Sequence, residues 1–290
     1  MSTLGPDPAT FLSGDAGDVT DPWRRSKRRL GELAYGALDT LSGTRRRASR
    51  LARSSSPPRD VLVIGVYRPG SLLAEALPAL RSDRHRVRIA LGSTGPPDPP
   101  LREHTVAEGL TGGKFENLNR VLEAAGGAGD ADWTIVVDDD VRVPRAFLDR
   151  FVGVCEAFGL DLAQPAQTLR SHSAWKVTRR RPATLVRETR FVEIGPMTAF
   201  GRATAAELLP FPELRYGWGL DLHWAAVAAE RGWRLGVVDA LPVRHEFGLV
   251  AAAYARQDAV DEAARFLAEH PYLPSERAGD VLAVHRRLRS

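Results

Sequence analysis

The sequence predicts an α/β fold of three layers, in which helices cover both faces of a mainly parallel central sheet. Two apolar runs, Val61–Val66 and Trp133–Val137, have no polar interruption, which is typical of strands buried on both faces. Segments with strand and helix patterns alternate along the chain, as they do in doubly wound sheets. A length of 290 residues with 43% hydrophobic composition is sufficient for one large domain with a substantial core.

The composition indicates a globular protein of a reducing compartment. Lys and Arg number 40 against 36 Asp and Glu, which gives a formal charge of +4. Cys155 is the single cysteine, so an intramolecular disulfide and a thiolate metal cluster are both excluded. No apolar run reaches the roughly 18 residues of a membrane span, and residues 1–20 lack the pattern of a secretion signal. We therefore expect a cytoplasmic protein.

Residues 1–58 differ in composition from the rest of the chain and are predicted to form an N-terminal extension. Residues 1–22 are rich in Gly, Pro, Asp, Ser and Thr without periodicity, and we expect them to be disordered. Residues 23–53 are basic and contain leucines at helical spacing, which predicts a short amphipathic helix. Such a helix can make peripheral contact with an anionic membrane, bind a partner or nucleic acid, or remain a solvated tail. Ser54–Arg59 is the predicted linker.

A repeated strand-helix pattern follows the linker. The run Val61–Val66 leads through a turn at Tyr67-Arg68-Pro69-Gly70 into Leu72–Leu80, whose leucines have helical spacing. Val87–Leu91 is the next predicted strand. A strand, a turn and a helix in this order predict the first unit of a parallel sheet.

Gly112 and Gly113 precede a predicted helix that begins at Lys114. Glycines let the backbone approach a ligand closely, and a lysine at a helix start adds charge where the free amide groups already attract anions. Asn117 lies one helical turn further on. The pattern indicates a phosphate site, and an ordinary capped loop is the alternative that it leaves open.

Three carboxylates, Asp138, Asp139 and Asp140, come directly after the central strand. The carboxyl ends of parallel strands border the ligand crevice of open α/β sheets. Like charges at such a position repel each other unless a cation lies among them, and hard oxygen ligands favour Mg²⁺ or Mn²⁺. A solvated acidic turn is the alternative.

The segments GGKFENLNRVL and DWTIVVDDDVRVPRAFLDRFV resemble the corresponding motifs of GT-A glycosyltransferases, especially glycosyltransferase family 2. The resemblance implies a Rossmann-like GT-A fold and an Asp-x-Asp pair, at Asp138 and Asp140, that binds Mn²⁺ or Mg²⁺ on the diphosphate of a nucleotide sugar. The third carboxylate leaves the register of this pair open by one residue. The same resemblance implies donor contacts from Lys114, Asn117, Asp138 and Asp139.

The segment YGWGLDLHW resembles the Glu-Asp motif of the same enzymes, whose aspartate is the catalytic base. Asp221 matches that aspartate, whereas Leu220 stands in place of the preceding acid. The Gly-Trp-Gly sequence is similar to β-1,4-galactosyltransferases and implies acceptor contacts from Trp218 and Gly219. His245 matches a further metal ligand. The stretch from Trp218 to His245 also resembles domain of unknown function 707, and the resemblance as a whole covers about residues 60–247.

Several side chains have structural alternatives. Asp221 could be a helix cap, and His245 could bond to backbone at a strand end. Trp224 and Trp233 have the spacing of packing residues, and His223 is expected to point away from Asp221. Arg179-Arg180-Arg181 is predicted to be a solvated loop, with closure over a diphosphate as the alternative.

These features together predict a metal-dependent glycosyltransferase that transfers a sugar to an acceptor hydroxyl with inversion, using Asp221 as general base. The expected organisation is an extension at 1–58, a GT-A domain at 59–250 with a nucleotide-sugar half at 59–140 and an acceptor half at 141–250, and a helical tail at 251–290. No nucleic acid partner is expected for this activity. The alternatives are a nucleotidyltransferase and a catalytically silent binding module docked by its basic N-terminal segment.

Overall fold

The computed structural model describes residues 5–13, 22–54, 57–246 and 255–288. The helices are α1 Pro22–Leu41, α2 Thr44–Ser54, α3 Leu73–Leu80, α4 Lys114–Ala124, α5 Phe147–Phe158, α6 Arg202–Leu208, α7 Leu220–Arg231 and α8 Arg256–Glu269. The strands are β1 Asp60–Tyr67, β2 Arg86–Ser93, β3 Thr105–Ala107, β4 Trp133–Val137, β5 Val141–Arg142, β6 Leu162–Gln167, β7 Val186–Thr189, β8 Met197–Gly201, β9 Leu235–His245 and β10 Val281–His285. Short 3-10 helices lie at Pro8–Thr10, Pro99–His104, Lys176–Thr178 and Ser275–Arg277.

A mixed sheet runs through the described part of the chain in the order β10-β7-β9-β6-β8-β4-β1-β2-β3, and β5 pairs with β9 outside this path. The strands β5, β7 and β8 run antiparallel to their neighbours, whereas the other seven described strands share one direction. The predicted α/β fold with a mainly parallel central sheet is therefore confirmed.

The core consists of two apolar clusters, one on each face of the sheet. Along β1, Val61 and Val63 pack into one cluster, while Leu62 and Ile64 pack into the other. The first cluster also receives residues of α2, α3 and α5, and the second receives residues of α4, α6, α7 and α8. Burial on both faces is the reason that the central strands are continuous apolar runs.

The N-terminal segment differs from the predicted extension. The expected disorder is wrong for residues 5–13, because Phe11 is buried and the hydroxyl of Thr10 lies 3.1 Å from that of Tyr272. Residues 1–4 and 14–21 lie outside the described residues. Residues 23–53 contain two helices in place of one, α1 and α2, and α2 packs against α5 as part of the core.

The C-terminal region also differs from the predicted helical tail. The helix α8 covers one face of the domain, as expected, through buried residues that include Val260 and Leu267. After it, β10 pairs antiparallel with β7, and His285 Nε2 lies 2.5 Å from Glu188 Oε1. The segment around His285 was predicted to be part of a helical tail, but it forms a strand that covers the otherwise open edge of β7. None of the described helices combines the length and the apolar character that a bilayer span requires.

Candidate active site

Polar residues follow four strands at one edge of the sheet. The strands β1, β4, β6 and β9 all run in the same direction, so their carboxyl ends meet at this edge. Arg68 follows β1, Asp138 follows β4, Gln167 ends β6 and His245 ends β9. This is the edge at which open α/β sheets bind their ligands.

A short strand pairing brings His245 to the carboxylate triplet. The two residues of β5 pair antiparallel with the end of β9, and Val141 lies opposite His245. The backbone amide of Glu246 donates to the carbonyl of Asp140 at 2.9 Å. As a result, His245 Nε2 lies 3.1 Å from Asp140 Oδ1.

Asp138, Asp140 and His245 form a group that could hold a metal ion. Their ligand atoms all lie within 4.8 Å of one another. His245 Nδ1 lies 3.2 Å from the carbonyl of His172 and donates to it, so Nε2 faces the two carboxylates. Two carboxylates and one oriented imidazole are a donor set that suits a divalent cation such as Mn²⁺.

Lys114, the first residue of α4, supplies a positive charge to this group. Its Nζ lies 2.6 Å from Asp138 Oδ1 and donates to the carbonyl of Ile194 at 3.2 Å. Gly195 permits the close approach, because a Cβ at this position would lie 2.8 Å from Asp138 Oδ2 and 3.3 Å from Lys114 Nζ. Gly113 has a similar role, since a Cβ there would lie 2.0 Å from the carbonyl of Arg215.

The three proposed ligands have perturbed acidities. Burial raises the pKa of Asp138, although the charge of Lys114 opposes this shift. Burial also disfavours the charge on Asp140, but the hydrogen bond and charge of His245, together with the charges of Lys114 and Arg68, outweigh it and lower the pKa of Asp140. Burial likewise opposes protonation of His245, whereas the carboxylates of Asp140, Asp138 and Glu193 raise its pKa overall. A positive charge on the imidazole of His245 and the negative charges of these carboxylates therefore stabilise each other.

A second pair of carboxylates, Glu193 and Asp221, lies buried next to this group. Burial, and then the charge of Glu193, raise the pKa of Asp221 to about 7. Burial raises the pKa of Glu193 to about 7 as well. Glu193 accepts hydrogen bonds from Gln167 Nε2 at 2.8 Å, from Thr178 Oγ1 at 2.9 Å and from the amide of Ala174 at 3.1 Å. The pair therefore changes its protonation near neutral pH.

Asp221 lies in the first turn of α7 and not at its cap. The helix begins at Leu220 and its N-cap is Gly219, which has no side chain for capping. The carboxylate of Asp221 accepts from the amide of Leu222 at 3.0 Å. Asp221 therefore satisfies one free amide of the first turn of α7 without occupying the N-cap position.

Asp139, the middle residue of the triplet, points to a different partner. Its two carboxylate oxygens accept from Nε and Nη2 of Arg68, both at 3.0 Å, and the Arg68 amide donates to Oδ2 at 2.9 Å. This bidentate ion pair raises the pKa of Arg68. Asp138 and Asp140, by contrast, lie close to His245. The geometry therefore favours the first and third carboxylates of the triplet as the Asp-x-Asp pair.

The remaining residues of the predicted site lie around this centre. Asn117 is buried, its Nδ2 lies 3.4 Å from the carbonyl of Gly112, and its Oδ1 has no hydrogen-bond partner among the described residues. Trp218 is half-buried against the second core cluster. Gly219 has φ +88°, and a Cβ there would lie 3.0 Å from Leu267. The backbone conformation and the packing at this position therefore favour glycine, whether or not it contacts an acceptor.

Other predictions about individual side chains have clear outcomes. Trp224 is buried in the core and Trp233 packs against it, as expected. His223 Nδ1 donates to the carbonyl of Pro271 at 2.8 Å, and its exclusion from the site stays a prediction. The solvated loop predicted at residues 179–181 is wrong for Arg180, which is buried and pairs with Glu32 and Asp39 of α1.

Sequence reasoning missed three residues of the site. Glu193 occurs in FVEIGPMTAF, where no neighbouring sequence pattern marks its acid as part of a site. His172 lies beside His245, with ring centroids 6.4 Å apart, and neither of its ring nitrogens has a hydrogen-bond partner among the described residues. Arg68 follows β1 just as the triplet follows β4, and this shared position at strand ends was the available signal.

Comparisons with known proteins give structural similarity alone. No family model and no curated protein matches the chain, so no family match supports the resemblance to glycosyltransferase family 2 or to domain of unknown function 707. Among solved structures, the chain is similar to S. aureus TarS 1–349 in complex with UDP-GlcNAc, with 14% identity, a TM-score of 0.49 and coverage of 72% of this chain and 65% of that one. It is also similar to TarS 1–349 in complex with UDP, with 14% identity, a TM-score of 0.43 and coverage of 62% and 58%. For S. aureus TarS the identity is 11%, the TM-score 0.46 and the coverage 65% and 37%. The chain therefore spans less than two thirds of each of these TarS chains.

Proposed function

We propose that the chain is a metal-dependent GT-A glycosyltransferase that transfers a sugar from a nucleotide-diphosphate sugar to an acceptor hydroxyl. One observation carries the proposal: a group of Lys114, Asp138, Asp140 and His245 adjoins the buried carboxylates of Glu193 and Asp221 at the carboxyl edge of the sheet. The first group suits a metal-bound diphosphate, and the second suits proton transfer.

Asp138, Asp140 and His245 would hold Mn²⁺ or Mg²⁺. When bound, such a cation neutralises charge on the leaving diphosphate and orients it. Lys114 Nζ lies 2.6 Å from Asp138 Oδ1, so it could also pair with the oxygens of a diphosphate bound beside Asp138. Lys114 is the first residue of α4, where free amide groups attract anions as well. Arg68, held by Asp139 at the end of β1 and largely exposed, provides a second cation at the same edge.

Asp221 would act as the general base. The acceptor hydroxyl attacks the anomeric carbon, the bond from this carbon to the diphosphate oxygen breaks, and the hydroxyl proton passes to Asp221. A pKa of about 7 suits this role, because a general base is most effective when its pKa lies near the working pH. One base without a separate nucleophile implies inversion at the anomeric carbon. Glu193 is held by three hydrogen bonds, and we assign it the role of a positioning residue. Trp218, half-buried before α7, is our candidate for acceptor stacking.

The experiment measures thermal stabilisation by nucleoside diphosphates and nucleotide sugars, UDP-GlcNAc included, with Mn²⁺, Mg²⁺ or chelator. A ligand that binds the folded state raises its stability by mass action. We expect one nucleotide to stabilise the wild type only when metal is present, and Asp140→Ala to abolish the effect. Asp83→Asn is the matched control, because its carboxylate is exposed and lies outside this group, so it should leave the metal-dependent shift intact.

The base is tested separately with the donor that this panel identifies. Asp221→Asn should still bind donor and metal, while the rate of sugar transfer should fall by roughly 10²-fold to 10⁴-fold. Full transfer activity in Asp221→Asn would remove Asp221 from the mechanism. Metal-dependent binding of a nucleoside triphosphate with pyrophosphate release would support the nucleotidyltransferase, and the absence of any nucleotide effect would support the silent binding module.

A further inference from the structure

The helix α1 is attached to the domain by its polar face. Glu32 and Asp39 lie seven residues apart, on the same side of the helix, and both pair with the buried guanidinium of Arg180. The second oxygen of each carboxylate accepts a hydrogen bond from a backbone amide. For Glu32 the donor is Leu169 at 2.9 Å, and for Asp39 it is Ala183 at 2.7 Å. Both acids of α1 are thereby fixed against the domain.

The opposite face of α1 is apolar and faces solvent. Trp23, Leu30 and Leu41 are separated by seven and eleven residues, so they form one stripe of about 27 Å along the helix at 1.5 Å per residue. The exposed apolar side chains, with their exposed fractions, are Trp23 at 71%, Leu30 at 69%, Leu33 at 72%, Leu38 at 46% and Leu41 at 84%. Five large apolar side chains along one helix are more than the scattered exposed residues of an ordinary surface, and such patches mark interaction sites.

The same segment carries a concentrated positive charge. Residues 22–54 contain ten basic residues against two acids, Glu32 and Asp39, and both acids are committed to Arg180. This amounts to +8, whereas the whole chain has +4, so the remaining residues carry a net negative charge. The basic residues are Arg24, Arg25, Lys27, Arg28, Arg29, Arg45, Arg46, Arg47, Arg50 and Arg53.

We propose that α1 and α2 seat the protein on the surface of an anionic phospholipid bilayer, with the stripe of α1 at the boundary between headgroups and acyl chains. An apolar helix face flanked by basic residues is the combination that binds such interfaces. Nucleic acid would satisfy the basic residues but would leave the leucines exposed. A second copy of the chain could cover the leucines, but it would bring together two segments of +8 each.

The position of α1 gives this surface a relation to the proposed active site. The loop that follows β6 begins at Thr168, and the amide of Leu169 in this loop contacts Glu32 of α1. Two residues later, Ser171 Oγ accepts from the amide of His245 at 3.1 Å, and the carbonyl of His172 accepts from its imidazole. One short loop therefore connects the membrane-facing helix to the carboxyl edge of the sheet. The bilayer would lie beside the site, where an acceptor anchored in lipid could reach it.

The test is co-flotation of the full-length protein with vesicles of phosphatidylcholine alone and of phosphatidylcholine mixed with phosphatidylglycerol. We expect binding to the anionic vesicles that weakens with added salt. The variant Leu30→Ser/Leu33→Ser/Leu41→Ser should bind at least about tenfold more weakly, because each leucine loses the transfer of an exposed side chain into the interface. Because these leucines are exposed, its thermal unfolding midpoint should match the wild type.

The matched control is Val106→Ser/Leu282→Ser/Leu288→Ser, which removes three exposed apolar side chains elsewhere on the surface. It should bind vesicles as the wild type does. Equal binding of the leucine variant and the wild type would overturn the proposal, as would binding that does not depend on anionic lipid. Light scattering supplies the remaining decisive outcome, since a wild-type dimer that the leucine variant converts to monomer, without vesicle binding, would assign the stripe to a second copy.

Discussion

At the scale of single residues, the buried Asp221 is an energetic cost to the fold. A carboxylate that has lost its water is disfavoured in the charged form, and the neighbouring Glu193 adds repulsion when both are ionised. Its raised pKa means that the folded state holds a proton at a pH where the unfolded state has released it. Groups arranged in this way are concentrated at functional sites, because a perturbed pKa is needed for proton transfer and is unfavourable for stability.

The raised pKa predicts a pH dependence of stability. The stabilising contribution of protonated Asp221 is fully present below its ordinary pKa of 3.8 and is lost as the pH rises through about 7. Asp221→Asn removes this loss, so its free energy of unfolding should exceed that of the wild type at pH 8 by on the order of 4 kcal/mol. At pH 4 the two proteins should differ little. Urea unfolding at a series of pH values measures the difference.

The control for this prediction is Asp83→Asn, which changes a carboxylate that is exposed to solvent. It should unfold as the wild type does throughout the pH range. A difference between Asp221→Asn and the wild type that stays constant with pH would show that Asp221 is ionised throughout in the folded state.

At the scale of secondary-structure elements, the candidate metal group depends on the pairing of β5 with β9. Val141 and His245 are adjacent only through this two-residue ladder, although more than one hundred residues separate them in the chain. The strand β5 follows directly after the carboxylate triplet. The segment that carries Asp140 therefore also holds the end of β9 in place. The site geometry is in this respect a property of the sheet and not of any one motif.

The attachment of α1 through Arg180 leads to a second prediction. Arg180→Ala would leave Glu32 and Asp39 without their cation, and breaking one partner of a buried ion pair costs about 3 kcal/mol. We expect the stability measured by urea unfolding to fall by that amount. We also expect trypsin to cleave at Arg28 and Arg29 of α1 more rapidly, because α1 loses its docking.

Arg181→Ala is the matched control for Arg180→Ala, because Arg181 is the next residue and its side chain is exposed. Wild-type stability and wild-type proteolysis in Arg181→Ala would assign the effect to the buried ion pairs. If Arg180→Ala resists trypsin as the wild type does, the polar face of α1 is not what attaches it.

At the scale of the whole molecule, the helix α2, which precedes residue 59, belongs to the same folded body as the domain that follows it. Ala48, Leu51 and Ala52 of α2 are buried, and Gly153 of α5 is required where the two helices cross. A Cβ at Gly153 would lie 2.7 Å from the Cα of Ala52, which is a backbone atom that cannot easily move. The linker predicted at Ser54–Arg59 therefore separates two elements of one core.

This crossing gives a prediction with a definite sign. Gly153→Ala should destabilise the protein by about 1–3 kcal/mol, because overpacking forces α2 away from α5. If residues 1–58 were an independent extension, the same change would stabilise α5 by about 1 kcal/mol through its higher helix propensity. Thermal or urea unfolding decides between the two signs.

Gly36→Ala is the matched control in another helix. A Cβ at Gly36 would meet only the end of the Arg45 side chain at 3.5 Å, an ordinary contact. We expect this variant to be as stable as the wild type or slightly more stable. Destabilisation by both glycine variants would argue against a specific crossing of α2 and α5.

Much of the fold could be predicted because the signals are local. The strands β1, β2 and β4 lie within a few residues of their predicted bounds, and α4 begins at the predicted Lys114. The signal is strongest for β1 and β4, because burial on both faces favours a run of apolar residues. The edge strand β10 was missed, because its side chains are partly exposed and its five residues resemble an ordinary tail. The burial of Arg180 in ion pairs with α1 was also not predicted. A run of arginines has the same sequence pattern whether its side chains are solvated or form buried ion pairs.

The sequence by itself determined the α/β class and the presence of carboxylates and a lysine at strand and helix ends, because apolar periodicity and residue type are properties of short segments. Only the tertiary structure decided that Asp139 turns to Arg68 while Asp138 and Asp140 meet His245, that Glu193 lies beside Asp221, and that α1 presents its leucines to solvent. The first two findings depend on distances between residues that are remote in the chain, and the third depends on which side of α1 packs against the domain. The packing of the sheet and its helices sets such distances, and no local pattern in the sequence records them.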